Sequence, residues 1–180
     1  RCRGRTRRAF RAKSGRAPPA APAGRCSGRD GSAWLTKVLS NQGLKLYNNQ
    51  VDIGVRVETS NIVMEEINKN LYEGKFVYNT SVGTKVRTFC SNPSGHVVIE
   101  NHSGTMLANG HAYHDPKLGS KNTNFALLVS HTFSEPFNEP NEFAHEISRL
   151  ANKLSNGSVI VQRYGDIKRG RRTTYKRLKE

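Results

Sequence analysis

Asn122-Thr123-Asn124-Phe125-Ala126-Leu127-Leu128-Val129 is the stretch on which the reading of this 180-residue chain turns. Two amides and a hydroxyl lead into five apolar residues. A short apolar run with polar flanks fits a strand covered on both faces, so a central strand is expected over 124–129. Outward from it the period is two. Val51, Ile53, Val55 and Val57 alternate with Asp52, Gly54, Arg56 and Glu58, the pattern of a strand with one wet face. Phe76-Val77-Tyr78 and Lys85-Val86-Arg87-Thr88-Phe89-Cys90 are also strand-like. Asn92-Pro93-Ser94-Gly95 is a turn, because Pro presets φ and Gly accepts a positive φ. His96-Val97-Val98-Ile99-Glu100 then returns, which predicts a hairpin over 85–100. Thr105 to Ala108 form one more extended stretch, and Asn109-Gly110 reads as a turn after it. Val159-Ile160-Val161 reads as a last short strand.

Helical spacing marks three segments. Ser32 can cap a helix carrying Trp34, Leu35, Val38 and Leu39, with Gly43 at its end. Asn61 begins a short helix expected to bury Ile62, Val63, Ile67 and Leu71. Pro140 fits the first turn of a helix whose apolar face is Phe143, Ile147, Leu150, Ala151 and Leu154, stopped by Asn156-Gly157. The expected class is α+β: a mainly antiparallel sheet with a few flanking helices.

Charge is distributed unevenly. The chain carries 29 Lys+Arg against 14 Asp+Glu, a formal charge of +15. Residues 1–30 hold ten Lys/Arg and one Asp, and 168–180 hold seven Lys/Arg and one Glu, so 31–167 is neutral. Residues 1–27 contain one large apolar residue, Phe10, which is too little apolar surface to offset the entropy of ordering. They are expected to be disordered and foreign to the fold. A nucleic-acid arm and a transit peptide are the other origins for such an Arg-rich, acid-poor stretch. No apolar run approaches the ~20 residues of a spanning helix. Cys2, Cys26 and Cys90 are odd in number and without a CxxC, which argues against a disulfide framework and for a reducing compartment.

Few residues announce chemistry. His111 and His114, beside Asp115, sit in a polar loop and read as solvated histidines, and His145-Glu146 is followed by Arg149, so no HExxH zinc motif is present. No metal is expected. Cys90 reads as an inert strand thiol. Gly28-Arg29-Asp30-Gly31-Ser32 before a helix resembles a phosphate cradle, but the chain contains no GxGxxG and no GxxxxGK[ST]. Gly165 to Thr174 is a basic cluster in which Arg171 or Arg172 could meet a phosphate, with solvated basic side chains as the equal alternative.

Taken together, these blocks resemble a known family. Gly28-Arg29-Asp30-Gly31-Ser32-Ala33-Trp34-Leu35, Ile53 to Glu58, Val86-Arg87-Thr88-Phe89-Cys90-Ser91-Asn92-Pro93-Ser94-Gly95-His96-Val97-Val98, Asn109-Gly110-His111-Ala112-Tyr113 and Asn122 to Val129 follow in order, and Gln162-Arg163-Tyr164-Gly165-Asp166 with Gly170-Arg171-Arg172 closes the series. The series is similar to the middle of the bacterial FAD-dependent dehydrogenases, a family of NAD(P)/FAD-dependent oxidoreductases, and spans about 28–174. The likeness implies a fragment: the substrate-side α+β domain over 51–167 of a two-domain flavoprotein. Residues 28–50 would be an edge of the FAD-binding domain. Residues 168–180 would lead to a final flavin-contacting segment. The implied cofactor is FAD, with NAD(P) as a second. The implied partners are the missing dinucleotide-binding segments and an unidentified small-molecule substrate, with neither membrane nor nucleic acid, in the cytoplasm. The residues implied to approach the cofactor are Gly28, Gly31, Ser32, Arg56, Cys90, Pro93, Gly95, Asn109, Asn124 and Arg171. The family's turn often reads FCMCPGG; here it is Phe89-Cys90-Ser91-Asn92-Pro93-Ser94-Gly95, which removes a second thiol. The chain is expected to be inactive and free of flavin by itself. A nucleic-acid-binding protein with basic arms is the alternative.

Overall fold

The computed structural model describes residues 31–134, 136–137 and 139–179, with side chains from Trp34 onward. The 1–27 segment and Gly28 lie outside the described residues. The chain divides into two units, one up to Leu44 and one from Lys45 onward. In the first unit, helix α1 (Gly31–Asn41) starts two residues earlier than a Ser32 cap requires, so Ser32 lies inside the helix.

In the second unit the apolar 124–129 run lies at the centre of a sheet. Strand β6 (Asn122–His131) pairs antiparallel with β1 (Val51–Ser60) through ten residue pairs, from Val51 opposite His131 to Ser60 opposite Asn122. Its other side pairs with β3 (Lys85–Asn92), which pairs in turn with β2 (Val77–Asn79), giving the order β1-β6-β3-β2. Gly54 permits the close β1–β6 approach: a Cβ there would stand 1.9 Å from the Leu127 carbonyl oxygen. Strands β4 (His96–His102) and β5 (Thr105–His111) form a separate antiparallel ribbon. With helices α2 (Asn61–Asn70) and α3 (Pro140–Leu154), this is the α+β, antiparallel architecture expected.

Three local readings are corrected. Residues 85–100 are not a hairpin, because β3 and β4 belong to different sheets. The Asn92–Gly95 turn does form, with Gly95 N–H donating to Asn92 O at 3.2 Å. The β3 register slips between Phe89 and Asn92, however, and the slip redirects the chain out of the first sheet. The positive φ of this turn is at Ser94, not Gly95. Asn109-Gly110 is not a turn either. It lies in β5 opposite Val98 and Val97, and the hairpin turns instead on Ser103 and Gly104, both at positive φ. Residues 159–161 form no strand, and the chain continues into two short helices, α4 (Tyr164–Lys168) and α5 (Tyr175–Leu178).

The packing is unusually polar. Met64 is the one apolar side chain among the described residues that is buried, while Thr123 and Asn124 are buried completely. The expected inner face of α2 is overturned. Ile62 and Val63 are 82% and 69% exposed, and Leu71 also faces solvent. In α3, Phe143 meets Phe133 edge-on at 5.0 Å, but Leu150 and Leu154 are exposed. One side of the main sheet carries Ile53, Val55, Val57, Phe125, Leu127 and Val129, as strand alternation and the β1–β6 register require. None of these six is buried.

Side-chain amides join the elements instead. Asn152 of α3 accepts from Met106 N–H at 2.7 Å and donates to Met106 O at 2.9 Å, and it also donates to Ser158 O at 2.8 Å. Removing a partner from a buried polar group costs ~1–3 kcal/mol. Asn152→Ala should therefore lower unfolding stability by about 2 kcal/mol in urea titration. Asn68→Ala, which removes one bond to Thr123, should cost less.

Candidate functional site

The register places Arg56 opposite Ala126 and Glu58 opposite Asn124, so Arg56 and Asn124 share the face of the sheet that faces away from the apolar stripe. There the Arg56 guanidinium closes on Asn124. Nε and Nη2 both donate to Asn124 Oδ1, at 2.9 and 2.6 Å, and Nη2 also donates to Cys90 O at 3.0 Å. Asn92 joins from the β3 slip, donating to Cys90 O at 2.9 Å and to Asn124 Oδ1 at 3.4 Å. Cys90 supplies this carbonyl from a left-handed backbone (φ +51°), uncommon for a residue with a Cβ, and its N–H donates to Glu73 Oε1 at 3.0 Å. The ribbon lies against the node at Gly110. A Cβ on Gly110 would stand 1.7 Å from Arg56 Nη2 and 2.1 Å from Asn124 Oδ1.

The electrostatics of the node are set by desolvation. No carboxylate pairs with Arg56 among the described residues; its acceptors are an amide and a peptide carbonyl. Burial pushes the guanidinium below its ordinary pKa, with Cys90 acting in the opposite sense. Arginine remains charged under such a shift because its ordinary value is so high. The node is thus a half-buried positive charge held by neutral dipoles. Asn124 adds an unused donor: its Nδ2 is buried and has no hydrogen-bond partner.

Of the residues singled out from sequence, Arg56, Cys90 and Asn124 meet here. Gly95 is nearby and buried, where a Cβ would approach both Asn92 Cβ and His111 O to 2.7 Å. Pro93 is exposed on the same turn. Asn109 is engaged within the ribbon, donating to Glu100 Oε1 at 2.9 Å and accepting from Gly110 N–H at 2.8 Å. Gly31 and Ser32 belong to the other unit. Arg171 is bonded elsewhere, to Asp166 at 2.6 Å. Among the described residues no group of three or more His, Cys, Asp or Glu is placed to hold a metal ion.

Nothing in the sequence marks Gly110 and Glu73 as parts of the node. An Asn-Gly pair signals a turn, which hid the role of Gly110, and Glu73 carries no motif. Asp166 was missed for a similar reason. It lies among basic residues, yet it is only 3% exposed and gathers the C-terminal segment. Its carboxylate accepts from Arg171 Nε at 2.6 Å, Thr173 Oγ1 at 2.8 Å and Arg177 Nε at 3.1 Å. The hydrogen bond from Arg171 is the main influence holding the Asp166 carboxyl far below the usual carboxylate range; desolvation opposes it, and Thr173 and Arg177 add to it.

No family model matches the chain, and no curated protein matches it.

Arg56→Met would take the guanidinium donors from Asn124 Oδ1 and Cys90 O and leave them Asn92 Nδ2 alone, at a cost of about 1–3 kcal/mol. Gly110→Ala evicts the same guanidinium, so the double variant should cost clearly less than the two single losses combined. A double-mutant cycle in urea measures this coupling. Asp166 gives a pH signature. Its folded pKa is depressed, so its contribution is present above the unfolded value of about 3.9 and is lost as pH falls towards the folded value. Amide protection factors across 163–177, which are rates corrected for intrinsic exchange, should be high at pH 6 and should fall on acidification below about pH 4. In Asp166→Asn they should already be low at pH 6.

Proposed function

We propose that this chain is the substrate-side part of a cytoplasmic FAD-dependent oxidoreductase, covering a flavin supplied by a dinucleotide-binding region of the same protein. The observation that carries the reading is the Arg56 node. A half-buried guanidinium without a carboxylate favours a neighbour that gains negative charge, as a redox ring does on reduction. The buried Nδ2 of Asn124 is a donor in need of an acceptor. The apolar stripe is half-buried, with Val55 63% exposed, and a neighbouring domain could bury what remains open. These features fit a covering role. Arg56 and Asn124 would act on the ring side, with Cys90, Pro93 and Gly95 shaping the turn beside it. FAD, when bound, supplies the hydride chemistry.

Gripping the diphosphate is a different task, and the described residues support it less. Arg171 is tied to Asp166, and Asn109 is tied to Glu100. NAD(P) as a second cofactor has no residue here that calls for it. The nucleic-acid alternative draws on the cationic ends, but Asp166 engages two of the C-terminal arginines.

The test is spectroscopic. A complete parent protein carrying the dinucleotide-binding segments should purify with flavin absorbance, while the 180-residue chain should be colourless. In the complete protein, Arg56→Met should make the flavin harder to reduce, lowering its potential, because a positive charge that favours the reduced form is gone. Stoichiometric flavin in the short chain, or a complete protein without flavin, would overturn the proposal.

A further inference from the structure

At the opposite end of β6 from Asn124, six residues and roughly 20 Å away at ~3.3 Å per residue, lies a second chemically distinct place. An open cleft of about 490 Å³ is lined by Gln50, Thr84, Lys85, Arg87, Ser130 and His131, with backbone from the β2–β3 turn. Its volume falls within the 300–1,000 Å³ of ordinary small-molecule sites.

The lining has one sign. Lys85 and Arg87 are two apart on β3 and so share a face, and by register that face also holds Ser130. No acid lines the cleft. The adjacent carboxylate, Asp52, is already engaged: it accepts from Arg87 Nη2 and from Ser130 Oγ, both at 2.6 Å. Asp52 thus fixes the Arg87 side chain and offsets one charge, leaving Lys85 in surplus. A guanidinium has five N–H donors and Asp52 takes one of them. Lys85, Thr84, Gln50 and His131 also line the cleft, and each carries a side chain able to donate a hydrogen bond. The turn that brings Thr84 and Lys85 there is itself braced. Thr84 N–H donates to Thr80 Oγ1 at 3.0 Å, and Gly83 takes a positive φ.

We infer that this cleft binds the oxyanion group, phosphate or carboxylate, of a small organic ligand. The cleft is larger than a bare anion needs, which leaves room for the organic part. The inference does not depend on the flavin reading.

The test is an NMR titration of the full chain at constant ionic strength, once with inorganic phosphate and once with succinate. Saturable shifts at Gly83, Thr84, Lys85 and Ser130 are expected with at least one of them, and the one that saturates at lower concentration identifies the group. Lys85→Gln, which keeps the stem and removes the charge, should weaken binding about tenfold. Lys85→Glu should abolish it, and Lys117→Glu, in another loop, should leave it unchanged. Shifts that never saturate with either anion, that persist in both Lys85 variants, or that fall on residues 162–179 instead would overturn the inference. Because no flavin takes part, a negative result here leaves the Arg56 reading standing, and a colourless complete protein leaves this one standing.

Discussion

A guanidinium withdrawn from water without a counter-ion has to be held by dipoles placed around it, and the second unit of this chain is arranged to do that. Asn124 presents its amide oxygen from the central strand. Cys90 turns its carbonyl inward through a left-handed backbone at the β3 slip. Gly110 leaves the space that the Arg56 head occupies. Three separate segments therefore meet at one charged group. The close β1–β6 approach at Gly54 and the departure of the chain from β3 into the ribbon are both consistent with that meeting.

The same preference for polar joints runs through the rest of the unit. Asn61 Oδ1 accepts from Thr123 Oγ1 at 2.8 Å and its Nδ2 donates to Ser94 Oγ at 2.9 Å, linking the start of α2 to β6 and to the β3–β4 turn. Asn152 ties α3 to β5, and Asp166 gathers the C-terminal helices. Hydrogen bonds contribute modest net stability each, about 0.5–1.5 kcal/mol, but they are directional, so they define register where apolar burial is scarce. An antiparallel sheet whose apolar stripe is only half-buried has less of the burial that usually dominates folding.

The two chemically distinct places sit at opposite ends of β6. At one end a positive charge is half-buried among neutral acceptors; at the other, cationic side chains surround open space and one of them is braced by Asp52. The first is the place we propose to face the flavin, and the second is the place we propose to hold an oxyanion. Neither could be placed from composition, since residues 31–167 balance their charges.

What the residues alone determined was local. Alternation in 51–57 and the apolar run at 124–129 specified two strands, the second of them central, because side-chain period follows directly from strand geometry. Pro140 and Asn156-Gly157 bounded α3, because φ restrictions act on single residues. Tertiary structure decided the partners. Asn109-Gly110 has the dipeptide of a turn, yet it extends as strand, since pairing with Val97 and Val98 and the approach of Arg56 outweigh a local preference. Ile62 and Val63 have apolar side chains but face outward, since the helix position set by Ser60 and Asn61 turns Met64 inward instead. Arg56 and Asn124 each stand out in the sequence, but their bond joins residues 68 apart. A contact over that separation is created by strand pairing, which no short window of sequence encodes.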